Sequence, residues 1–324
     1  MRELKTTEAV GKTLCQDITQ IIKGEKKGPV FRKGHVIREE DVPVLLSVGK
    51  DHIYIWEEGE DTLHENDAAA MLYEMGRSEN MHPSEVKEGK IEFIADCDGM
   101  LKIQSEKLFA LNSFGQMMMA TKKNHSFIKK GEAFAGTRII PLSIEREKME
   151  EVKKIAPEGG ILQLLPFEKK KVGLISTGNE VFYKRIQDTF TPVVREKLSL
   201  YPVEIIGHVT CPDDVEQEKE AIQDFLRQGA DLVICMGGMS VDPDDRTPLA
   251  IRLSTEEVVS YGAPVLPGSM FMLAYAKGKV PVLGLPGSIM FCPTTVFDLV
   301  LPRIMAGDIV KKEEIDALGE GGLL

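Results

Sequence analysis

The sequence is poor in the features that announce several common protein classes. Its five cysteines, Cys15, Cys97, Cys211, Cys235 and Cys292, are scattered, odd in number and contain no C-x-x-C pair. That pattern excludes a disulfide framework or a structural zinc site and points to reduced thiols in the cytoplasm. Aromatic residues are 6% of the chain, too sparse for base-stacking platforms. A formal net charge of -11 also makes it a poor general binder of nucleic acid or anionic membranes. No apolar run is long enough to span a bilayer, and Met1-Arg-Glu-Leu-Lys-Thr6 lacks the apolar core of a signal peptide. No G-x-G-x-x-G or Walker sequence follows a strand, which weighs against a nucleotide-binding enzyme. These absences leave a cytoplasmic protein with no nucleic-acid or membrane partner. An anionic ligand would have to be held by local N–H groups, a few cations or a metal.

At 324 residues the chain has room for two or three domains. Residues 1–85 read as a small mixed α/β unit: His52-Ile-Tyr-Ile-Trp56 alternates as a strand, and Glu65 to Met75 carries Ala and Leu at helical spacing. Residues 86–167 read as a β-rich domain with a connecting helix. Lys90 to Asp96, Gly99 to Ile103 and Arg138 to Leu142 are its short strands, and the charged segment Ser143 to Gly160 is an amphipathic helix. Lys130-Gly-Glu-Ala-Phe-Ala-Gly136 resembles the late turn of a barrel-sandwich hybrid, as in biotinyl domains. The Met-Lys-Met modification triplet is missing, so the expected role is structural.

Residues 168–324 alternate strand and helix. Val172 to Ser176, Val203 to Gly207, Leu232 to Met236 and Val280 to Gly284 are short apolar runs of strand length. Pro192 to Ser199, Asp213 to Arg227 and Thr294 to Met305 are helices, the second with an apolar stripe of Val215, Ile222, Phe225 and Leu226. Repeated β-α-β order predicts a mostly parallel sheet covered on both faces, a three-layer α/β/α domain. It follows a β-rich N-terminal region.

The stretch from Asp231 to Arg246 carries the strongest signal in this domain. An apolar strand breaks on Gly237 and Gly238, followed by Ser240 and the carboxylates Asp242, Asp244 and Asp245. Thr247-Pro248 then reads as an N-cap and first helical residue. This is the layout of an anion site in an open α/β sheet. Two more strands end in comparable turns. One gives Ser176, Thr177, Gly178, Asn179 and Glu180; the other gives Leu285, Pro286, Gly287 and Ser288. Parallel strands share one C-terminal edge, so the three turns are expected to meet at one ligand.

These motifs carry a resemblance. Lys170 to about Gly307 is similar to the molybdenum-cofactor-biosynthesis domain of molybdopterin molybdotransferases and adenylyltransferases, including a shorter subgroup of molybdopterin-binding proteins. Ser176-Thr-Gly-Asn-Glu180 resembles the family's S-T-G-[DS]-E, and Gly237-Gly-Met-Ser240 resembles its G-G-x-S with Asp245 at the aspartate. Pro212-Asp-Asp214 resembles its D-D turn, and Leu285-Pro-Gly-Ser288 resembles L-P-G-N. The resemblance implies a cytoplasmic, homo-oligomeric protein that binds molybdopterin, its adenylylated form or the molybdenum cofactor, with a molybdoenzyme as client. It implies turn N–H groups around Gly237, Gly238 and Ser240 on the phosphate. It implies that Ser176 to Glu180 flank the pterin and that Pro286, Gly287 and Ser288 also contribute to cofactor binding. Glu180, Asp214 and Asp245 are the catalytic candidates, and Asp213, Asp242 and Asp245 are the candidate ligands for magnesium. Asp213 and Asp214 also sit at a helix start, where they have a capping role open to them.

The departures are informative. The family's lysine-bearing P-G-K-P resembles Leu266-Pro-Gly-Ser-Met270 here, which has no lysine, and L-P-G-N-P has become Leu285-Pro-Gly-Ser-Ile289. Lys184 and Arg185 are the cations closest to a phosphate by sequence. Two functions are compatible with this pattern: a divergent molybdotransferase, or a non-catalytic carrier, chaperone or sensor of the finished cofactor.

Overall fold

A computed structural model describes residues 2–22, 26–55 and 61–324. The chain divides into two compact units. One holds Met1–Cys97, Lys102–Lys123 and Lys129–Leu164. The other holds Asp98–Leu101, Asn124–Ile128 and Leu165–Leu324.

In the N-terminal unit the helix Glu65–Gly76 packs on a four-stranded antiparallel sheet of order Met81–Pro83, Lys90–Ala95, Ala133–Ile139, Met117–Thr121. Alternation along Lys90–Ala95 turns Ile91, Phe93 and Ala95 inward, and Phe93 meets Tyr73 of the helix with ring centroids 4.6 Å apart. A second small core gathers Leu14, Ile18, Ile37, Leu45, Ile53 and Ile55. The strand expected to end at Trp56 runs His52–Ile55, and Trp56 lies outside the described residues.

Three expectations for this unit are corrected. The last long strand is Ala133–Ile139 rather than Arg138 to Leu142, because Pro141 has no N–H to continue a ladder. The helix expected from Ser143 spans only Arg146–Lys153. Ser143–Glu145 instead pairs antiparallel with Thr62–His64 and buries Ile144. A helix, Ser105–Ser113, also interrupts the β-rich stretch, tied to the next strand by paired hydrogen bonds between the Asn112 amide and the Met119 backbone.

The C-terminal unit contains a six-stranded sheet. Its strands are β1 (Lys170–Thr177), β2 (Val203–Cys211), β3 (Leu232–Met236), β4 (Glu257–Tyr261), β5 (Met272–Ala276) and β6 (Val280–Leu285), in the order β2-β1-β3-β6-β5-β4. The first four in that order run parallel; β5 is antiparallel to β6, and the edge strand β4 is antiparallel to β5. The antiparallel pair was not assigned in the sequence, although Phe271 to Ala276 is an unbroken apolar run.

Four helices cover the two faces: α1 (Phe190–Leu198), α2 (Val215–Arg227), α3 (Thr247–Ser254) and α4 (Val296–Met305). The pleat sorts each strand between them. Leu232, Ile234 and Met236 join a core with α1 and α4, whereas Val233 and Cys235 join a core with α2 and α3. This is the three-layer α/β/α domain with a mostly parallel sheet. Ser176 pairs with Met236, and Met236 with Leu285, so β1, β3 and β6 end flush on one edge.

Candidate functional site

At that edge lies a cleft of about 590 Å³. Ser176, Thr177 and Glu180 line it from the first turn, Gly237, Gly238, Ser240 and Asp245 from the second, and Pro286, Gly287 and Ser288 from the third. A further segment, Leu266 to Met270, completes the wall where the resemblance placed its departed lysine motif. The five remaining sequence candidates, Gly178, Asn179, Asp213, Asp214 and Asp242, are not lining residues.

The reasons are local. Asp213 and Asn179 hold two loops together: the Asn179 N–H donates to Asp213 Oδ2 at 2.9 Å, and the Asp213 N–H donates to Asn179 Oδ1 at 3.4 Å. Asp214 caps α2, accepting the Gln217 N–H at 3.0 Å. The Asp242 N–H donates to Asp245 Oδ2 at 3.0 Å, which positions the carboxylate of this trio that does reach the cleft. Among the described residues no three Asp, Glu, His or Cys side chains gather as a metal site. Of the proposed magnesium set only Asp245 lines the cleft, and Asp213 and Asp242 do not join it there.

Ser176 and Thr177 anchor the floor. Ser176 Oγ donates to Asp188 Oδ2 at 2.9 Å and lies 2.8 Å from His208 Nε2 and 2.9 Å from Thr191 Oγ1. Asp188 Oδ1 accepts the Phe190 and Thr191 N–H groups, capping α1 at its first turn. Burial pushes the Asp188 carboxyl up, but hydrogen bonds from Thr191, Ser176 and Phe190 outweigh it and hold the group below the usual range. Burial lowers His208, against the pull of Asp188. This is not a nucleophilic triad. Asp188 approaches Nε2, the nitrogen that faces the serine, at 3.6 Å, rather than orienting the ring from its far side. The sequence reading missed Asp188 and Thr191. The available signal is an acid two residues before a helix start, obscured because the helix begins at Phe190 rather than at the expected Pro192.

Thr247 is similarly reassigned. It is the first residue of α3 rather than its cap, fully buried, with its hydroxyl 3.1 Å from that of Thr177. The space a Cβ would need at Gly238 is filled by Thr247 Oγ1 at 2.5 Å, and its φ is +59°. Glycine is required there by the protein's own packing. At Gly287 a Cβ would meet only Met290 Cε, at 3.6 Å.

The cleft offers donors and apolar wall together. No described residue accepts a hydrogen bond from the N–H of Gly238, Met239 or Ser240, and the buried Ser288 hydroxyl has no partner. Met236, Met239, Met270 and Met290 supply adaptable apolar surface. Its charged lining residues are Glu180, Asp188 and Asp245; no Lys, Arg or His lines it. Lys184, Arg185, Arg195 and Arg246 all lie outside the lining, with Arg185 over the Tyr183 ring at 5.3 Å. Arg246, which closes the acidic loop, makes no ion pair among the described residues.

Residues 173–306 match a family model described as a probable molybdopterin binding domain, and residues 3–57 match one described only as a domain of unknown function. Among curated proteins, a molybdopterin molybdenumtransferase of Synechococcus elongatus is 27% identical over 180 residues, spanning 53% of this chain and 42% of that protein. A CinA-like protein of Mycolicibacterium vanbaalenii is 38% identical over 78 residues, spanning 24% of this chain and 18% of that one. The chain thus spans less than half the length of these relatives. Among solved structures, the molybdopterin biosynthesis enzyme MoaB of Thermus thermophilus matches with 26% identity and a TM-score of 0.37, covering 41% of this chain and 91% of that one.

Proposed function

We propose that this chain, which carries a probable molybdopterin binding domain over residues 173–306, binds molybdopterin or the molybdenum cofactor in the strand-end cleft and acts in molybdenum-cofactor biosynthesis. One observation carries the reading: three turns from three parallel strands, separate in sequence, line a single cleft that combines open N–H donors with methionine walls. Turn N–H groups at Gly238, Met239 and Ser240 suit a terminal phosphate without any lysine. The apolar wall suits a flat heterocycle, and Ser288, Glu180 and Asp245 suit its polar edge.

Of the acids that line the cleft, Glu180 and Asp245 are the residues assigned to chemistry if the protein turns over. Asp214 is assigned to capping. No step is routed through magnesium, since of its proposed ligands only Asp245 lines the cleft. The reading extends to cytoplasmic residence, a homo-oligomeric state and a molybdoenzyme client. Among the described residues no helix is long and apolar enough to cross a membrane.

The test is to identify the small molecule that copurifies with the protein from a molybdate-fed anaerobic culture, and then to titrate it back by calorimetry. A pterin that binds the parent and not the Gly287→Val variant is the expected result. Copurification of no pterin, or equal affinity in the variant, would overturn the assignment.

A further inference from the structure

The N-terminal unit contains its own cavity, of about 330 Å³, whose walls are almost wholly polar: Val86 and Leu142 are the apolar exceptions. Four cations border it, Lys33, Lys50, Lys87 and Arg138, in a chain whose formal net charge is -11. Three acids are there too, but each is engaged. Asp17 Oδ1 accepts the Lys33 backbone N–H at 2.7 Å, Glu88 accepts from the Thr19 hydroxyl at 3.1 Å, and Glu65 lies 3.9 Å from Arg138 Nη2. The ammonium groups of Lys33, Lys50 and Lys87 have no hydrogen-bond or ion-pair partner among the described residues. The Lys33 charge opposes the upward push of burial on Cys15 and Glu65 and adds to the lowering of His64. The helix Glu65–Gly76 begins at this cavity, adding the positive end of a 12-residue helix.

We propose that this cavity is a binding site for a small tetrahedral dianion, either a free oxyanion or the phosphate group of a small monoester. The four cations outnumber the three acids, and the three lysine ammonium groups have no partner among the described residues, so an anionic ligand would complete the cavity. With only two apolar lining residues the site has no wall for a ring system, which separates it chemically from the methionine-lined cleft. This inference does not depend on the pterin assignment, since it concerns other residues in the other unit.

The experiment is calorimetric titration of the full chain with sulfate, inorganic phosphate, molybdate and glycerol 3-phosphate, each alone, at low ionic strength. Saturable one-site binding with a dissociation constant below about 1 mM is expected for at least one probe. Lys33→Gln together with Lys87→Gln, both at exposed side chains, should weaken it at least about tenfold, since each removes a charge-assisted contact to the anion. Gly287→Val should leave it unchanged. Tighter binding of glycerol 3-phosphate identifies a monoester and tighter binding of the ions identifies a free oxyanion; both support the site. No saturable heat with any probe, or unchanged affinity in the lysine double variant, would overturn it.

Discussion

The cleft at the strand ends and the cavity of the N-terminal unit differ in what their walls ask of a ligand. The cleft has three carboxylates and no cation, four methionines and a set of unused N–H groups. The cavity has four cations, three acids and only two apolar lining residues. A net charge of -11 describes neither, because the sum hides a local excess of each sign. The difference also teaches how an anion is held in each place: by oriented backbone dipoles in the first, and by point charges on long side chains in the second. Backbone donors are rigid and insensitive to pH, while lysine sites weaken with added salt.

The largest effect that separates the two is expected from Gly238→Val. Its φ of +59° and the Thr247 hydroxyl 2.5 Å from any Cβ mean both strain and overpacking. Together they should cost about 2–5 kcal/mol and collapse the cleft, seen as a lowered melting transition with loss of pterin binding. Anion binding by the N-terminal cavity should survive. Gly287→Val is the complementary variant: thermal stability close to the parent and pterin affinity reduced at least about tenfold. A parent-like affinity in this variant would remove the third turn from the site.

A second contrast lies in two buried glutamates. Glu65 has Arg138 beside it; both carboxylate oxygens of Glu218, on α2, are buried without a hydrogen-bond partner. Burial pushes the Glu218 carboxyl up to about 7 from 4.5, against a weaker pull from Thr247. Because the folded state holds the proton more tightly, the stability it contributes is fully present below about pH 4.5 and is lost as the pH rises through about 7. The shift corresponds to a loss on the order of 3 kcal/mol. Hydrogen exchange of the α2 amides should therefore accelerate as the pH is raised across that window, after correction for intrinsic rates. Glu218→Gln should flatten the profile. Burial raises Glu65 as well, with Arg138 and Lys33 opposing, so the slope has the same sign there. An unaltered profile in Glu218→Gln would assign the pH response elsewhere.

The contrast extends to what could be read in the sequence. The parallel strands were legible because a strand buried on both faces is a continuous apolar run, and Leu232–Met236 was bounded correctly at both ends. The cleft was largely legible too, because strand-end turns keep their chemistry within a few residues of the strand. Failures arose where function and structure use the same residue types: Asp213 reads as a metal ligand, but it closes a loop on Asn179. The network of Asp188, Thr191 and His208 was missed because its members meet only after α1 folds back beside β2. The cavity of the N-terminal unit was wholly illegible. Its lining runs from Gln16 to Leu142 with no motif, and its cations come together only through tertiary packing.

The smallest expected effect decides how many acids belong to chemistry. Asp214 and Glu180 are both family-type acids, yet only Glu180 lines the cleft. Asp214 accepts the Gln217 N–H and caps α2, so Asp214→Ala should cost about 1 kcal/mol of stability. Asp214→Asn should cost almost nothing, since asparagine caps as well as aspartate. If Asp214 has only that task, neither variant changes molybdate incorporation into adenylylated molybdopterin once the proteins are compared below their melting transitions. Glu180→Gln and Asp245→Asn are expected to behave differently, lowering turnover more than pterin affinity, because a carboxylate used in the transition state contributes less to ground-state binding. A large loss of turnover in Asp214→Asn with stability intact would return Asp214 to the site and make the capping bond incidental. Absence of turnover in the parent, with pterin affinity changed in Glu180→Gln and not in Asp214→Asn, would keep the same division of labour and make the protein a carrier.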